Sequence, residues 1–340
     1  MTNVIHAYAA REARGTLTPF QYEMAPLGAH DVIIDITHCG VCYSDVAFID
    51  NELGSATYPL VPGHEIIGLV RAVGTAVDHL EVGQRVGVGP YRSACLHCSY
   101  CTSGRENLCT SSELTIVGHH GGFASAIQLS ASFAFPIPDG LQSTIAAPLL
   151  CAGITVFAPL RRHAAPGRHV GVLGIGGLGH LAIQYAHARG CEVTVFSSTP
   201  AKEEQARQFG ADHFVAVKQA GAMDRAAGSI DFLLSTSYGG LDWSALLNVL
   251  RPDGRICVVG SSMEPIGIPA AMLIMKQLAI SGSAAGSRSD MQEMLAFSAQ
   301  RGVRAQVEVM PMEQVNQAVE RVRSGAARYR VVLEAPSAGA

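Results

Sequence analysis

The sequence predicts an α/β protein that joins a doubly wound parallel sheet to a second, β-rich domain, and three observations predict this fold class. Up to about residue 150 the chain contains short apolar runs, such as 32–37, 66–73 and 84–88, separated by glycine and proline turns. From about residue 168 strand and helix patterns alternate, which is typical of βαβ units. A glycine-rich turn joins the first of these strands to its helix.

The later part of the chain predicts a regular series of elements. In order, they are strand 169–173, helix 178–189, strand 192–196, helix 201–209, strands 213–217 and 230–235, helix 241–250, a turn at 251–254 and strand 255–259. Beyond residue 280 mixed elements return, with helices at 291–301 and 313–323 and a last strand at 329–334. No internal repeat or low-complexity linker separates the two parts, so we expect a compact crossover between them.

The composition excludes several classes of partner. Of the 340 residues, 48% are hydrophobic and 15% charged, with a net charge of −4; ordinary soluble domains have about 25% charged residues. This balance predicts a large apolar interior and gives no electrostatic reason to bind nucleic acid or an anionic membrane. The first fifteen residues include Arg11, Glu12 and Arg14 and lack an apolar segment, so we expect no signal peptide and a cytoplasmic protein.

Three uncharged stretches, 114–138, 140–160 and 170–188, are long enough to cross a membrane. The first contains histidines and alternating polar residues, the second contains Pro148 and Pro159, and the third is rich in glycine. These features fit turns and buried strands better than a helix that faces lipid.

Four cysteines with the spacing C-x2-C-x2-C-x7-C predict a structural metal site. Thiolates this close can form a tetrahedral zinc shell that leaves no position open for a substrate. Two disulfides are the alternative, but a chain of this length does not need them to build a core. A zinc module for nucleic acid would divide its ligands into two distant pairs with basic flanks. The ligands in this lobe, residues 95–109, are Cys95, Cys98, Cys101 and Cys109.

The glycine-rich turn reads Gly174-Ile-Gly176-Gly177-Leu178-Gly179 and lies between a predicted strand and a predicted helix. In that position the motif binds a dinucleotide. Gly174 permits the tight turn, Gly176 lets backbone amides approach a pyrophosphate, and Gly179 allows close helix packing, while the helix N-terminus attracts the anion. A turn that is merely rich in glycine is the alternative. We expect a nucleotide cofactor.

The end of the next predicted strand indicates which nicotinamide cofactor binds. An NAD site has Asp or Glu there to bind the ribose hydroxyls, whereas this chain has Ser197, Ser198, Thr199 and Lys202. A carboxylate about 4 Å from a 2′-phosphate would repel it by on the order of 4 kcal/mol per unit charge at an effective dielectric near 20. The hydroxyl groups avoid that repulsion and Lys202 can neutralise the phosphate, so we expect NADP(H). A polar strand end with a solvated lysine is the alternative.

Cys42, His64, Glu65 and Cys151 form a second candidate set of metal ligands in the β-rich half and at its end. Taken singly, a buried cysteine is usually a small core residue, and a lone histidine is more often a core residue than a ligand. Their context, however, resembles the zinc-dependent medium-chain alcohol dehydrogenases over nearly the whole chain. The motifs that carry the resemblance are G-H-E-x-x-G-x5-G-x-x-V at 63–77, the four-cysteine lobe, residues 148–153 and the glycine-rich turn.

Further segments resemble the cinnamyl alcohol dehydrogenase branch of that family. They are the serine-bearing strand end and residues 121–124, 280–287 and 328–332. This second resemblance implies NADP as cofactor and a small-molecule alcohol or aldehyde as substrate. A reductase that uses the same fold on a sugar, a polyol or an activated double bond is the nearest alternative, and a non-enzymatic binding protein is a more distant one.

The resemblance also implies a domain division. It places a GroES-like catalytic domain at 1–150 and 286–340 and a Rossmann NADP-binding domain at 151–285. In this family the nucleotide domains pair edge to edge, and the apolar segment 265–275 could form such a contact. We therefore expect a homodimer or a larger homo-oligomer.

The site residues follow from the same resemblance. It implies that Cys42, His64 and Cys151 hold a catalytic zinc whose fourth position is open to water or substrate, so that the chain binds two zinc ions. Glu65 is an alternative ligand during exchange. Asp45 orients the histidine, and Ser44 accepts the proton of the alcohol.

The cofactor would also meet three residues outside the glycine-rich turn. Thr155 corresponds to a position near the nicotinamide, and Val259 and Gly260 lie at the cofactor's edge. Ordinary packing is the alternative for all three.

One departure from the family affects the proton relay. Many members have a histidine five residues after the first cysteine ligand, where this chain has Ala47, and the cinnamyl branch often has histidine where this chain has Tyr43. Protons could pass from Ser44 through the nicotinamide ribose to water, or Tyr43 could take part. Both routes stay open.

Overall fold

The chain divides into two compact units. One unit comprises Met1–Cys151 and Ser287–Ala340, and the other comprises Ala152–Gly286. The computed structural model describes residues 4–261 and 263–336. Within that part each unit has its own sheet and its own apolar core.

The first unit begins with a β-rich segment. Its elements are β1 (Val4–Ala9), β2 (Thr18–Glu23), β3 (Asp31–Val41), α1 (Tyr43–Ile49), β4 (Glu65–Val73), β5 (Arg85–Val88), β6 (Tyr91–Ser93), α2 (Ser99–Thr102), β7 (Glu113–Leu114), β8 (Ala126–Ser130), β9 (Phe135–Pro136) and α3 (Ser143–Pro148). A π-helical turn, Leu149–Gly153, follows α3.

The second unit is a parallel sheet with helical connections. Its elements are α4 (Ile154–His163), β10 (His169–Leu173), α5 (Gly179–Ala188), β11 (Glu192–Ser197), α6 (Glu203–Gln208), β12 (His213–Ala216), α7 (Ala222–Arg225), β13 (Ile230–Ser235), α8 (Trp243–Asn248), β14 (Leu250–Val258), α9 (Ala270–Lys276) and β15 (Ala279–Gly282). The strands lie in the order β12-β11-β10-β13-β14-β15, which is the Rossmann order 3-2-1-4-5-6. The doubly wound parallel sheet is confirmed.

The chain then returns to the first unit. The last elements are α10 (Arg288–Arg301), β16 (Val307–Pro311), α11 (Val315–Arg323) and β17 (Arg330–Glu334). Strand β17 pairs antiparallel with β3 and parallel with β16, in a sheet ordered β16-β17-β3-β4-β5-β9 with β8 also on β3. The predicted β-rich partner of the parallel sheet is therefore confirmed.

Apolar periodicity explains both cores. In β3 alternate residues Val32, Ile34 and Ile36 are buried, as expected when one face of an antiparallel strand packs on a core. In β10 the residues from Val170 to Leu173 are all buried, because the central strand of a parallel sheet is covered on both faces.

One prediction about the stretch 140–160 is wrong. We expected turns and buried strands there, but Ser143–His163 is a continuous 21-residue helical stretch, and its most apolar window has a mean hydropathy of 1.7. By length and composition this stretch could cross a membrane, yet 78% of that window is buried inside the protein. Pro148 is the last residue of α3, where the helical stretch continues as the π-helical turn, and Pro159 lies within α4. The burial fits a core helix.

Two smaller differences concern the parallel-sheet unit. The predicted helix 201–209 begins as a 3-10 turn, Pro200–Lys202, before α6. The turn predicted at 251–254 is an irregularity inside β14, where pairing with β13 steps from Leu250 to Arg255. Asp253 has a φ of +62°, so the chain turns here between two paired parts of the same strand.

Candidate metal centres and cofactor-binding turn

The start of α1 presents Cys42. Cys42 directly precedes the first turn of α1, and the carboxylate of Asp45 accepts a hydrogen bond from its backbone N–H at 2.8 Å. An acidic residue at this position satisfies a donor that a helix leaves unpaired at its start. The backbone that carries the Cys42 thiol is thereby fixed, and the thiol is buried.

The same carboxylate fixes His64. Oδ1 of Asp45 accepts from the N–H of Gly63 at 2.9 Å and lies 2.8 Å from Nδ1 of His64. A carboxylate can only accept, so the imidazole carries its proton on Nδ1 and keeps the lone pair of Nε2 for a metal. Burial opposes a charged imidazole, but the negative charge of Asp45 prevails and holds the pKa of His64 well above its ordinary value, so a metal that binds Nε2 displaces the second proton of the ring.

The π-helical turn Leu149–Gly153 presents Cys151. Turns of this kind are rare and occur frequently at functional sites. The Cys151 sulfur lies 3.2 Å from Nε2 of His64 and 3.8 Å from the sulfur of Cys42. Hydrogen bonding between the two thiols lowers the pKa of Cys42 well below its ordinary value and raises that of Cys151.

Glu65, the first residue of β4, completes this cluster. It is fully buried and one carboxylate oxygen contacts the guanidinium of Arg330 on β17, while Oε2 has no hydrogen-bond partner among the described residues. Gly40 lies opposite in the sheet, and a Cβ there would lie 1.9 Å from Oε2. Only glycine leaves room for the carboxylate. Burial raises the pKa of Glu65 to about 8, although Arg330 opposes the rise.

These side chains form a donor set that suits zinc. Cys42, His64, Glu65 and Cys151 are all buried, and one ligand atom from each lies within 4.8 Å of the others. Two thiols, an imidazole and a carboxylate are the ligands that zinc takes in proteins. The hydroxyl of Ser44 lies 3.7 Å from the Cys42 sulfur and is on an exposed residue. The residues that the sequence singled out therefore come together in this unit.

The four-cysteine lobe forms a second cluster. The four sulfur atoms all lie within 4.8 Å of one another. The Cys95 sulfur is 3.9 Å from that of Cys101 and 3.6 Å from that of Cys109. The N–H groups of Cys98 and Ser111 point at the sulfurs of Cys95 and Cys109 at 3.4 Å. All nine cysteines are free thiols. Amide donors aimed at sulfur stabilise thiolates, which are the form that binds metal.

The glycine-rich turn lies between β10 and α5. Gly174 has a φ of +94°, and a Cβ on Gly179 would lie 2.0 Å from the carbonyl oxygen of Gly174. A Cβ on Gly176 would meet nothing within 4 Å, so the turn opens into free space there. Gly177 and Leu178 complete the turn and lead directly into α5. The turn thus has the close helix approach and the open backbone that a pyrophosphate needs.

Lys202 and the serines lie close to this turn. Nζ of Lys202 donates to the carbonyl oxygen of Ile175 at 2.7 Å, which puts its charge beside the turn. Ser198 and Thr199 are exposed just beyond the end of β11. Ser197 differs, because it is buried and its hydroxyl accepts from the N–H of Thr199 at 3.2 Å. Its hydroxyl stabilises the bend of the chain and is less available to a ligand.

The remaining candidate residues lie at strand and helix ends. Thr155, near the start of α4, is half-buried, whereas residues 151–154 and 156–160 are buried. Val259 follows β14, and a Cβ on Gly260 would lie 2.2 Å from the carbonyl oxygen of Ser237. Gly260 is required by this close backbone approach, so packing alone accounts for the glycine.

Sequence reasoning assigned no role to two residues of these sites. Arg330 is the buried partner of Glu65, and Thr236, just after β13, donates its hydroxyl to the carbonyl oxygen of Leu173 at 2.8 Å beside the glycine-rich turn. An arginine at the start of the apolar strand 330–334 was a usable signal of a buried ion pair, because a buried charge needs a partner. Thr236 carries no comparable signal.

The fold and the two sets of metal ligands are typical of the zinc-binding dehydrogenases. Residues 28–139 match the family model of the alcohol dehydrogenase GroES-like domain, and residues 177–300 match that of the zinc-binding dehydrogenases. The aldehyde reductase AdhA of Synechocystis sp. is 42% identical over 331 residues, which cover 97% of this chain and 98% of the relative. The chain therefore belongs to the zinc-dependent medium-chain alcohol dehydrogenase family and is an oxidoreductase.

Two solved structures are similar over nearly the whole chain. A cinnamyl alcohol dehydrogenase from Sorghum bicolor has a TM-score of 0.94 and 39% identity, and the match covers 97% of each chain. A Helicobacter pylori enzyme described as CAD and solved with NADP(H) has a TM-score of 0.91 and 28% identity, covering 98% of this chain and 99% of that one. These matches confirm the resemblance to the zinc-dependent medium-chain alcohol dehydrogenases that the sequence motifs indicated.

Proposed function

We propose that this enzyme transfers hydride between NADP(H) and an alcohol/aldehyde pair, chiefly in the direction of aldehyde reduction, and that it binds two zinc ions per chain. In this proposal Cys42, His64 and Cys151 hold a catalytic zinc, with Glu65 as an alternative ligand. The structural zinc would be held by the lobe cysteines Cys95, Cys98, Cys101 and Cys109.

The buried cluster around Cys42 is the observation that carries the proposal. Burying a carboxylate oxygen without a partner, as for Oε2 of Glu65, costs free energy. A divalent cation beside two thiolates and an imidazole removes that cost and accounts for the residue types present. A core packed only for stability would use apolar residues of similar volume here.

Zinc at this position would polarise the substrate oxygen, and the nicotinamide would carry the hydride. The chain's own residues orient the site and move the proton. Asp45 fixes the tautomer of His64 and the backbone of Cys42 through three hydrogen bonds. Ser44, exposed beside Cys42, donates its hydroxyl proton to the substrate oxygen in the reduction and accepts a proton in the reverse direction.

Tyr43 is less suited to this relay. Its hydroxyl donates to the carboxylate of Glu52 at 3.2 Å, and burial raises its pKa, so it gives up a proton less readily than a free phenol. Ala47 has no group that exchanges protons. We therefore assign the proton transfer to Ser44.

The cofactor preference rests on the charges around the glycine-rich turn. Lys202 is held beside the turn, and Ser198 and Thr199 offer exposed hydroxyls at the strand end. Glu203 is the nearest carboxylate along the chain, and it pairs with Arg207 at 2.8 Å, which offsets its charge. The NADP(H) complex of the H. pylori relative supports the same preference.

Substrate and cofactor can be tested on the purified protein. We expect about two zinc ions per chain. We also expect NADPH oxidation with aromatic or aliphatic aldehydes, with kcat/KM for NADPH about tenfold or more above that for NADH. Cys151→Ser should abolish turnover, while Cys191→Ser, at a buried thiol in the other unit, should leave it intact. Faster turnover of sugar aldehydes would favour the polyol alternative, and a preference for NADH would overturn the NADP proposal.

We also propose a homodimer. Ile274 and Met275 on α9 are 72% and 82% exposed, although both are apolar. Exposed apolar groups of this kind mark interaction surfaces, and α9 belongs to the unit through which this family pairs. Light scattering should give twice the chain mass, and Met275→Lys should shift the protein toward the monomer. A wild-type protein that is monomeric at micromolar concentration would contradict this proposal.

A further inference from the structure

Three side chains with no part in the proposed reaction lie together at one edge of the parallel sheet. His169, Glu192 and His213 are the first residues of β10, β11 and β12, which are neighbours in the sheet. The glycine-rich turn follows the opposite end of β10. A five-residue strand spans about 16 Å, so this His–Glu–His cluster is distinct from the cofactor turn.

The ligand atoms of the cluster converge. Oε1 of Glu192 lies 2.7 Å from Nε2 of His213, and Oε2 of Glu192 contacts Nε2 of His169. One donor atom from each residue lies within 4.8 Å of the others. The two imidazole rings are nearly perpendicular, at 84°, so their lone pairs can point at one ion from different directions. Parallel pairing holds all three strands in register.

Nε2 of His169 faces the carboxylate of Glu192. Nε2 is buried and has no hydrogen bond of acceptable geometry among the described residues, although Glu192 touches it. On the other side of the ring, Nδ1 lies 2.9 Å from the carbonyl oxygen of Ser229, which can only accept. A proton on Nδ1 leaves the Nε2 lone pair for a metal, and a carbonyl in this position is the usual outer partner of a ligating histidine.

Two charged neighbours favour the opposite tautomer, namely Arg251 and the carboxylate of Glu192, which contacts Nε2 and can only accept. Nη2 of Arg251 lies 3.0 Å from the same Nδ1 and can only donate, which would put the proton of His169 on Nε2 and toward Glu192. Arg251 is paired with the carboxylate of Asp231 at 3.1 Å, which offsets its charge. With the proton on Nδ1 the three residues can form a metal site, and with the proton on Nε2 they form a hydrogen-bonded trio. An ion bound to Nε2 stabilises the first arrangement.

The surroundings also provide space for further ligands. A cavity of about 350 Å³ is lined by both histidines, Ser229, Gln219 and Arg225. A metal held by three protein ligands needs water or an anion to complete its shell, and this cavity can hold them. Arg225 would favour an anion over a second cation there.

We propose that His169, Glu192 and His213 form a third metal site, which binds a divalent transition-metal ion of the zinc type and ties the first residues of three neighbouring strands together. Two imidazoles and one carboxylate suit Zn²⁺, Ni²⁺ and Cu²⁺ better than Mg²⁺ or Ca²⁺, which prefer all-oxygen shells. Two of the three residues, Glu192 and His213, are exposed to solvent, so the ion should exchange readily and bind more weakly than ions in the two cysteine-rich sites. The site is independent of the proposed reaction.

Metal titration of the purified enzyme tests this proposal. Loosely bound ions are first removed with a chelating resin that leaves the cysteine-rich sites loaded, and Zn²⁺ is then added in a calorimeter. We expect one further ion per chain in the wild type. In His213→Gln and in Glu192→Gln the affinity of that ion should fall at least tenfold, because each change removes one of three ligands. His30→Gln, at an exposed histidine in the other unit, is the matched control and should bind as the wild type does.

Spectroscopy and activity measurements distinguish the loss of a metal ligand from a folding defect. With Cu²⁺, electron paramagnetic resonance should show coupling to two nitrogen nuclei in the wild type and to one in His213→Gln. NADPH oxidation should be unchanged in both cluster variants, which reports intact folding whatever the metal result. If the wild type takes up no further ion, or if both cluster variants take it up with wild-type affinity, the cluster is only a hydrogen-bonded trio and the proposal fails.

Discussion

Asp45 contacts His64 at 2.8 Å and is also the acceptor for the backbone N–H groups of Cys42 and Gly63. One buried carboxylate thus holds the two separate segments that supply a thiol and an imidazole to the cluster. The sequence distance between these segments is more than twenty residues, so this contact, rather than local structure, sets their relative position.

Asp45→Asn should weaken zinc retention about 10- to 100-fold, because an amide cannot accept all three hydrogen bonds and no longer fixes the proton on Nδ1 of His64. The measurement is competition with a chelator of known affinity, combined with metal analysis. Asp50→Asn is a suitable control, since Asp50 pairs with Arg323 away from the cluster. Equal zinc retention in the two variants would show that Asp45 does not support the site.

Arg330→Met should lower the free energy of unfolding by about 3–5 kcal/mol, because it leaves the buried carboxylate of Glu65 without its cation. The double variant Glu65→Gln, Arg330→Met should recover much of this loss, since it removes the unpaired charge. Denaturant unfolding of metal-loaded samples measures both effects. Additive losses in the double variant would mean that the two side chains do not act as a pair.

Ser44→Ala should slow turnover severely, by about 100-fold or more, with zinc content unchanged, because the proton donor is removed while the ligands stay in place. Tyr43→Phe should have a small effect, since its hydroxyl is engaged by Glu52. Steady-state kinetics with NADPH and the best aldehyde compare the two variants. Normal turnover in Ser44→Ala would remove serine from the relay.

The strands and the glycine-rich turn could be predicted because their signals are local. Strand 169–173 and strand 230–235 have the predicted bounds, and α5 differs from its prediction by one residue at each end. Apolar runs bounded by glycine are enough for a buried parallel strand, since its two faces impose no alternation.

Other features could not be predicted because they depend on distant partners. Pro148 and Pro159 indicate a broken chain, yet packing keeps Ser143–His163 helical, and the π-helical turn that carries Cys151 has no sequence signal of its own. The pairing of Glu65 with Arg330 spans 265 positions. Tertiary packing overrides local propensity in the helical stretch. The buried Arg330 signals that it needs a partner, but no local pattern identifies Glu65 as that partner.

Lys202→Gln should lower kcat/KM for NADPH by about 10- to 150-fold, which corresponds to a charged hydrogen bond of roughly 1.5–3 kcal/mol. Activity with NADH should hardly change, because NADH lacks the 2′-phosphate, and this cofactor is therefore the internal control. The hydrogen bond from Lys202 to Ile175 places the charge beside the glycine-rich turn in the free protein. A parallel loss with both cofactors would mean that Lys202 supports the turn and not the phosphate.

Removing metal from the lobe should unfold it locally and expose its thiols. The lobe has little apolar core, since its buried residues are two cysteines, Cys101 and Cys109, and two polar residues, Glu106 and Asn107, so the metal would supply most of its folding free energy. Cys98→Ser should therefore lower the melting temperature and make residues 95–109 sensitive to protease.

Thiol labelling separates the lobe from the core. With metal bound, iodoacetamide should label the lobe cysteines slowly, and after chelation it should label them quickly. Cys39, Cys191 and Cys257 should stay unlabelled in both cases, because burial raises their pKa and keeps them as thiols, and the thiolate is the reactive form. Mass spectrometry of peptides reads out each site, with Cys257 as the reference thiol. Rapid labelling of the lobe in zinc-loaded protein would mean that its four sulfurs do not hold the ion.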